Sequence, residues 1–341
     1  MQLLTDLYKI SSPSRKEKDM IRFISQRLDA MSIPYEVDKY GNIYAIKGRA
    51  DTYPCIVAHT DEVHPKRSKG YEIVNFRDEI IFGYDTHKKH LVGIGADDKN
   101  GIWICLKCLE EYEYMKCAFF MAEEIGCIGS NRANMAFLDD CRYVLQCDRK
   151  GNDDFITSIS GMDLCSKDFV EDINLSAHGY KINHGLQTDV AVLKQRGLDV
   201  SCVNISCGYY NPHMNEEYTK IADLMKCHQF VKHIVETCTD QYVHHYQPYR
   251  NLLSRYNMYY PHGFGHSFDF EDDETTLFPR HGERKSKSMQ NKRYGSLLNV
   301  ISNRLAFDSS LTIDDLMDIF NERFPESNRQ EYETAYREVM G

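Results

Sequence analysis

Cys117-Ala-Phe-Phe-Met-Ala-Glu-Glu-Ile-Gly126 reads as a short buried strand that stops on two adjacent carboxylates. Short apolar runs bounded by turn residues fit strands covered on both faces. The same arrangement recurs on either side of this stretch. Residues 53–58 form an apolar run that ends at His59, and residues 143–147 form one that ends at Asp148. Residues 200–206 give a further strand. Residues 35–47 alternate around Gly41-Asn42 as two strands and a tight turn, and Ile80-Ile-Phe82 looks like part of a hairpin. Helical stretches are expected at 102–112, 190–196 and 216–238. Nearer the start, Ser14-Arg-Lys-Glu17 fits a capping box, followed by Ile21, Ile24, Leu28 and Met31 at helical spacing. This rhythm predicts an α/β fold, a mostly parallel mixed sheet sandwiched between helices. In open sheets of that kind ligands gather beyond the carboxyl ends of the strands, which is where most of the reactive residues fall.

A chain of 341 residues is long enough for one large domain and a smaller one. Its 42% hydrophobic and 27% charged residues are ordinary for a soluble globular protein. A net charge of −10 argues against nucleic acid as a partner. No apolar run approaches the roughly 18 residues of a membrane span. The opening Met1-Gln-Leu-Leu-Thr-Asp-Leu-Tyr8 lacks a basic region followed by an apolar stretch, so the expected location is cytoplasmic. The twelve cysteines are expected to be reduced, several of them in the buried strands. Cys105 and Cys108 have no second pair at finger spacing and fall inside a helix, which favours core packing. No cysteine follows residue 238. That shift suggests a catalytic domain over residues 1–242 and a C-terminal extension over 243–341. The extension reads as loop-rich and then mainly helical. It carries an acidic run at 268–274, a basic polar stretch at 279–294, and helices at 311–324 (capped by Thr312) and from a capping box at Ser327-Asn-Arg-Gln330 to about residue 339.

Five separated segments hold residue types that bind metal: Ala58-His59-Thr60-Asp61, Gly95-Ala-Asp97-Asp98-Lys-Asn-Gly101, Ala122-Glu123-Glu124-Ile-Gly126, Gln146-Cys-Asp148-Arg149 and Asn211-Pro-His213. Together they supply two imidazoles, three carboxylates and a spare glutamate, the inventory of a two-metal hydrolase. Asp61 lies two residues beyond His59 and is placed to accept its second ring N–H, which fixes the tautomer. In the Glu123-Glu124 pair the side chains point in different directions, so one can bind metal while the other faces water. Each segment alone is weak evidence, since it also reads as a polar turn or a solvated pair of acids; the ordered set is strong. No nucleophile elbow, Walker-type loop or complete dinucleotide fingerprint competes with it.

On these motifs, over about residues 1 to 240, the chain resembles the co-catalytic di-zinc exopeptidases. These include tripeptide aminopeptidase (peptidase T), the glutamate carboxypeptidases and the bacterial leucyl aminopeptidases. Ser11-Ser-Pro-Ser-Arg-Lys-Glu17 and Asp38-Lys-Tyr-Gly-Asn42 add to the likeness. The resemblance implies two Zn2+ ions, with Co2+ or Mn2+ fitting similar ligands. His59, Asp97 and Asp148 would hold one, and Asp97, Glu124 and His213 the other. It makes Glu123 the general base for the metal-activated water and implies a cis peptide after Asp97. Relatives with aspartate at the Asp148 position tend to be aminopeptidases or dipeptidases, so Asp148 leans toward an aminopeptidase. Asp148 and His213 lie only 65 positions apart, which leaves no room for the lid domain that many relatives insert between those ligands.

The expected function is therefore a zinc-dependent metallo-aminopeptidase acting on short peptides. An N-acyl amino acid deacylase or carboxypeptidase on the same core is the alternative, and a catalytically silent binding protein the alternative of another class. Neither nucleic acid nor a membrane is an expected partner, and self-association into a homo-oligomer stays open.

Overall fold

The computed structural model describes residues 1–246, 301, 312–320 and 329–340. The acidic run, the basic stretch and the start of the last capping box lie outside them. The chain divides into two compact units, Met1–Pro261 and His262–Gly341.

The first unit begins with helices α1 (Gln2–Lys9) and α2 (Lys18–Ala30) and the hairpin β1 (Tyr35–Val37) and β2 (Ile43–Lys47). Then come β3 (Tyr53–His59), β4 (Tyr71–Phe76), β5 (Ile80–Asp85), β6 (His90–Val92), α3 (Ala96–Glu111) and β7 (Met115–Phe120). The chain continues through β8 (Cys141–Arg149), β9 (Asp154–Ile159), β10 (Met162–Asp163), α4 (Lys167–Ile173), β11 (Lys181–Gly185) and α5 (Asp189–Gln195). It closes with β12 (Cys202–Ser206), β13 (Tyr209–Tyr210), β14 (Tyr218–Lys220) and α6 (Ile221–Thr237). In the second unit the described helices are α7 (Ile313–Phe320) and α8 (Arg329–Met340).

The main sheet has the order β1-β2-β7-β3-β8-β12-β9-β10, with β11 paired to β9. Its centre, β7-β3-β8-β12, is parallel; β2 joins β7 and β9 joins β12 in antiparallel fashion, while β11 runs parallel to β9. Strand alternation explains the two-sided core. Ile56, Ala58, Cys117 and Phe119 join the apolar cluster with α1, α2, α3 and α6, while Cys55, Val57, Ala118 and Phe120 join the cluster with α5 on the other face. Every residue of β3 and β7 is buried, which is why residues 53–58 and 117–120 read as continuous apolar runs, with Lys116 and His59 as the polar members of the strands. A second sheet, β13-β14-β5-β4 with β6 on β5, stands beside the first. All twelve cysteines are free thiols, and Cys105 and Cys108 are fully buried.

Three local readings differ. The capping box at Ser14 does not form: α2 starts at Lys18 with Glu17 at its cap and no side-chain cap bond. Ser14 Oγ instead donates to Asp61 Oδ2 at 2.6 Å, and Glu17 Oε1 accepts from the Ala122 N–H at 3.1 Å. Both residues serve the neighbouring loops rather than their own helix. The last long helix starts at Ile221, not at 216, because Tyr218–Lys220 pairs with β5 as β14. Helix α1 carries Leu4, Leu7 and Tyr8 into the core and was not foreseen.

Between α3 and α6, His228 is buried edge-on to Trp103, with ring centroids 5.3 Å apart. Neither ring nitrogen has a hydrogen bond, and burial lowers the imidazole's pKa despite Glu111 at 3.6 Å. Lys232 and Lys107 push the same way as burial. A histidine depressed in the folded state contributes stability above its unfolded pKa of about 6.5 and loses it as pH falls through that region. The expected result is a drop in Tm between pH 7.5 and 5.5 that shrinks in His228→Leu. An equal drop in both proteins, measured by thermal unfolding, would refute this account.

Candidate metal centre

Three of the central parallel strands deliver reactive residues at their carboxyl ends, and the second sheet supplies another. His59 is the last residue of β3, Glu123 and Glu124 follow β7, Asp148 is the penultimate residue of β8, and His213 lies in the loop between β13 and β14. Asp97 comes from the kinked start of α3, where the Asp97–Asp98 peptide is cis.

These side chains converge. Asp97 Oδ1 lies 3.0 Å from His59 Nε2, and its Oδ2 lies 3.3 Å from His213 Nε2. One carboxylate thus faces two imidazoles from opposite sides. His59 Nε2 is also 3.6 Å from Asp148 Oδ1, and His213 Nε2 is 3.1 Å from Glu124 Oε2. His59 Nδ1 faces Asp61, 3.1 Å from its backbone carbonyl and 3.3 Å from Oδ1, so the carbonyl shares the contact that the H-x-D spacing gave to the carboxylate. All these side chains are largely buried except that of His213, which is 47% exposed and marks the open side of the centre.

Two arrangements of ligand atoms close enough to share an ion are His59 with Asp97 and Glu124, and His59 with Asp98 and Asp148. The second uses Asp98 where the sequence pointed to Asp97, and the first uses His59 where it pointed to His213. Asp98 is already engaged: its Oδ2 accepts from the His59 N–H at 3.1 Å and its Oδ1 from the Gly101 N–H at 3.1 Å. Asp97 has its oxygens turned to the imidazoles, so it is the better bridging group. Glu124 Oε1 is buried without a hydrogen-bond partner, as expected of an oxygen meant for a cation. Imidazole and carboxylate donors in this ratio fit a pair of divalent ions.

The electrostatics agree with that fit. Burial and the Asp97 charge push the Asp148 carboxyl up to about 8. Burial likewise raises Glu123 and, with Asp97, raises Glu124. Asp97 itself stays well below the usual range, because hydrogen bonds from His213 and His59 outweigh its burial. His213 is pushed up to about 11 by its bonds to Asp97 and Glu124. Without cations, the surplus negative charge of the cluster is balanced by protons.

A second layer of residues holds the first, and of these the sequence singled out only Asp61. Asp61 accepts from the N–H groups of Glu123 (2.8 Å) and Glu124 (3.3 Å), which fixes the turn carrying both. Asn204 clamps the Asp148 backbone through both its amide oxygen and its nitrogen. Gln146 and Thr188 donate to Asp148 Oδ2, and Tyr209 to Oδ1. Glu217 gathers the Ile94, Gly95 and Asp97 N–H groups together with His64. Gly95 has φ +65°, and a Cβ there would meet Glu62 Oε2 at 2.1 Å, so no other residue fits that approach.

No protein-family model matches the chain. A curated relative from Pyrococcus abyssi (strain GE5 / Orsay), which carries the name putative LysW-lysine/LysW-ornithine hydrolase, is 28% identical over 83 residues. That match spans 24% of this chain and 23% of the relative. Among solved structures, aminopeptidase PepT from Bacillus cereus ATCC 10987 aligns with a TM-score of 0.57 at 13% identity, over 70% of this chain and 97% of its own. The TET1 peptidase of Pyrococcus horikoshii aligns with a TM-score of 0.53 at 13% identity, over 69% and 98%. A tripeptidase from Staphylococcus aureus subsp. aureus Mu50 aligns at 0.56 with 13% identity, over 70% and 97%. In its fold, the chain stands with these aminopeptidases and tripeptidases, as the resemblance in its motifs implied.

Proposed function

We propose that this chain is a metal-dependent exopeptidase which holds two divalent cations, zinc by expectation, and removes single residues from the amino end of short peptides. The observation that carries the reading is Asp97 facing His59 at 3.0 Å and His213 at 3.3 Å, the disposition of a bridging ligand. His59, Asp97 and Asp148 would hold one ion, and Asp97, Glu124 and His213 the other. When bound, such a pair supplies Lewis acidity toward a peptide carbonyl and acidifies a water. Glu123 accepts the proton of the attacking water at its carboxylate and returns it to the nitrogen of the leaving amine. Asp61 keeps that carboxylate in register by holding its backbone N–H, and steadies the His59 ring from behind.

The test is metal analysis of the purified protein together with turnover of aminoacyl anilides and N-acyl amino acids. Anilide cleavage that stops on chelation and returns with Zn2+ is the expected result. A metal-loaded protein that cleaves neither class overturns the reading. Cleavage of N-acyl amino acids alone would move the assignment to a deacylase on the same metal core. The Pyrococcus horikoshii TET1 peptidase can assemble into a tetrahedron or a large octahedral shell, and mass measurement in solution tests self-assembly of this chain.

Metal uptake is expected to expel protons. In the ion-free protein His213 is pushed up to about 11 and Asp148 up to about 8, so both retain protons at neutral pH. Ligation requires them bare, so affinity falls as pH is lowered from 8 to 6. Calorimetry in buffers of different ionisation enthalpy should register net proton release. Uptake with no proton exchange would contradict this assignment of the ligands.

A further inference from the structure

Behind Glu123 lies a thiol that the proposed mechanism does not use. The chain after β7 folds back on itself: the N–H groups of Gly126 and Cys127 both donate to the Glu123 carbonyl, at 2.9 and 2.8 Å. Cys127 adopts φ +52°, outside the region favoured by side-chain-bearing residues, which turns its side chain back beneath the glutamate. Its Sγ then lies 3.5 Å from Glu123 Oε1 and donates to it. The thiol is 2% exposed, and its own carbonyl is clamped by Asn131 Nδ2 at 2.9 Å. Ser130, next along the turn, donates to Asp189 Oδ1 at 2.5 Å, and its carbonyl accepts from Arg196 at 2.9 Å. The buried Oδ2 of Asp189 has no partner, and Asp189 and Glu123 feel each other's charge. The wall behind the glutamate is thus a rigid turn with a single weak donor aimed at the carboxylate and a second carboxylate nearby.

We propose that Cys127 is a positioning residue for Glu123, holding one carboxylate oxygen so that the other faces the substrate side, away from Asp189. The inference rests on Glu123 being the general base. Sulfur suits the role: its S–H is a weak donor, so it orients the carboxylate without quenching it, and its size closes the back of the site to water.

The test compares full-length wild type, Cys127→Ala, Cys127→Ser and Glu123→Gln for metal content, thermal unfolding, kcat and KM on a peptide substrate. Cys127→Ala is expected to lower kcat about tenfold, with KM and metal content within about twofold of wild type. Cys127→Ser, which keeps a donor, should recover most of that loss. A residue that only fills space would not distinguish alanine from serine in kcat alone. Cys127→Gly also removes the donor and suits the positive φ, and it takes the place of the alanine variant should that fail to fold. Unchanged kcat in the donorless variants, or serine as impaired as alanine, overturns the proposal. Wild-type turnover in Glu123→Gln would instead remove the general base itself, a result distinct from any failure at Cys127.

Discussion

Glu123→Gln is expected to keep its fold and its metal and to lose about a thousandfold in kcat, the middle of the range attributed to a positioned general base. The amide copies the carboxylate's shape, so the turn has no cause to move. The backbone N–H that Asp61 holds at 2.8 Å is untouched. What disappears is the group that accepts a proton, a carboxyl whose pKa burial raises. Its neighbour makes the control. Glu124→Gln alters the oxygen that sits 3.1 Å from His213 and the one that has no partner at all. It should fail by losing metal rather than by losing turnover per bound metal. Metal content and kcat for both variants separate the two roles. If Glu123→Gln loses metal while Glu124→Gln keeps it, the roles assigned to the pair are reversed.

That two adjacent glutamates differ so much bears on what a sequence can disclose. The strand ends were legible because β3, β7 and β8 are buried on both faces, so their apolar runs stop abruptly where the chain leaves the sheet. His59, Glu123 and Asp148 stand out there by contrast with what precedes them. The positions of Asp97 and His213 were legible only as members of an ordered set. Each sits in a glycine- or proline-marked loop whose path depends on distant contacts. The supporting layer was hidden for a more basic reason. Asn204, Thr188 and Gln146 act on Asp148 from 56, 40 and 2 positions away, and nothing local marks a polar side chain that faces inward. The capping box at Ser14 shows the opposite error. The pattern was present, but Asp61 and Ala122 offered both residues better partners than their own helix.

Glu217→Ala is expected to be the most destabilising single change near the centre, by about 3–5 kcal/mol, because it leaves buried donors without their acceptor. Glu217 is 1% exposed. Its Oε2 accepts from Gly95 N–H at 2.6 Å, Ile94 N–H at 3.0 Å and His64 Nε2 at 2.9 Å, and its Oε1 from Asp97 N–H at 3.2 Å. One side chain therefore ties the loop that carries His213 to the turn that carries Asp97, so its removal should weaken metal binding as well as stability. Glu217→Gln keeps one acceptor oxygen but turns an amide N–H2 toward donors, and should fall between alanine and wild type. Glu216, the residue before it, is exposed, and Glu216→Ala is expected to change stability by no more than about 0.5 kcal/mol. In the sequence these two glutamates look alike, and denaturant unfolding of the three variants should tell them apart. A Glu217→Ala protein as stable as Glu216→Ala would mean that the Gly95–Asp97 turn holds its shape without this carboxylate.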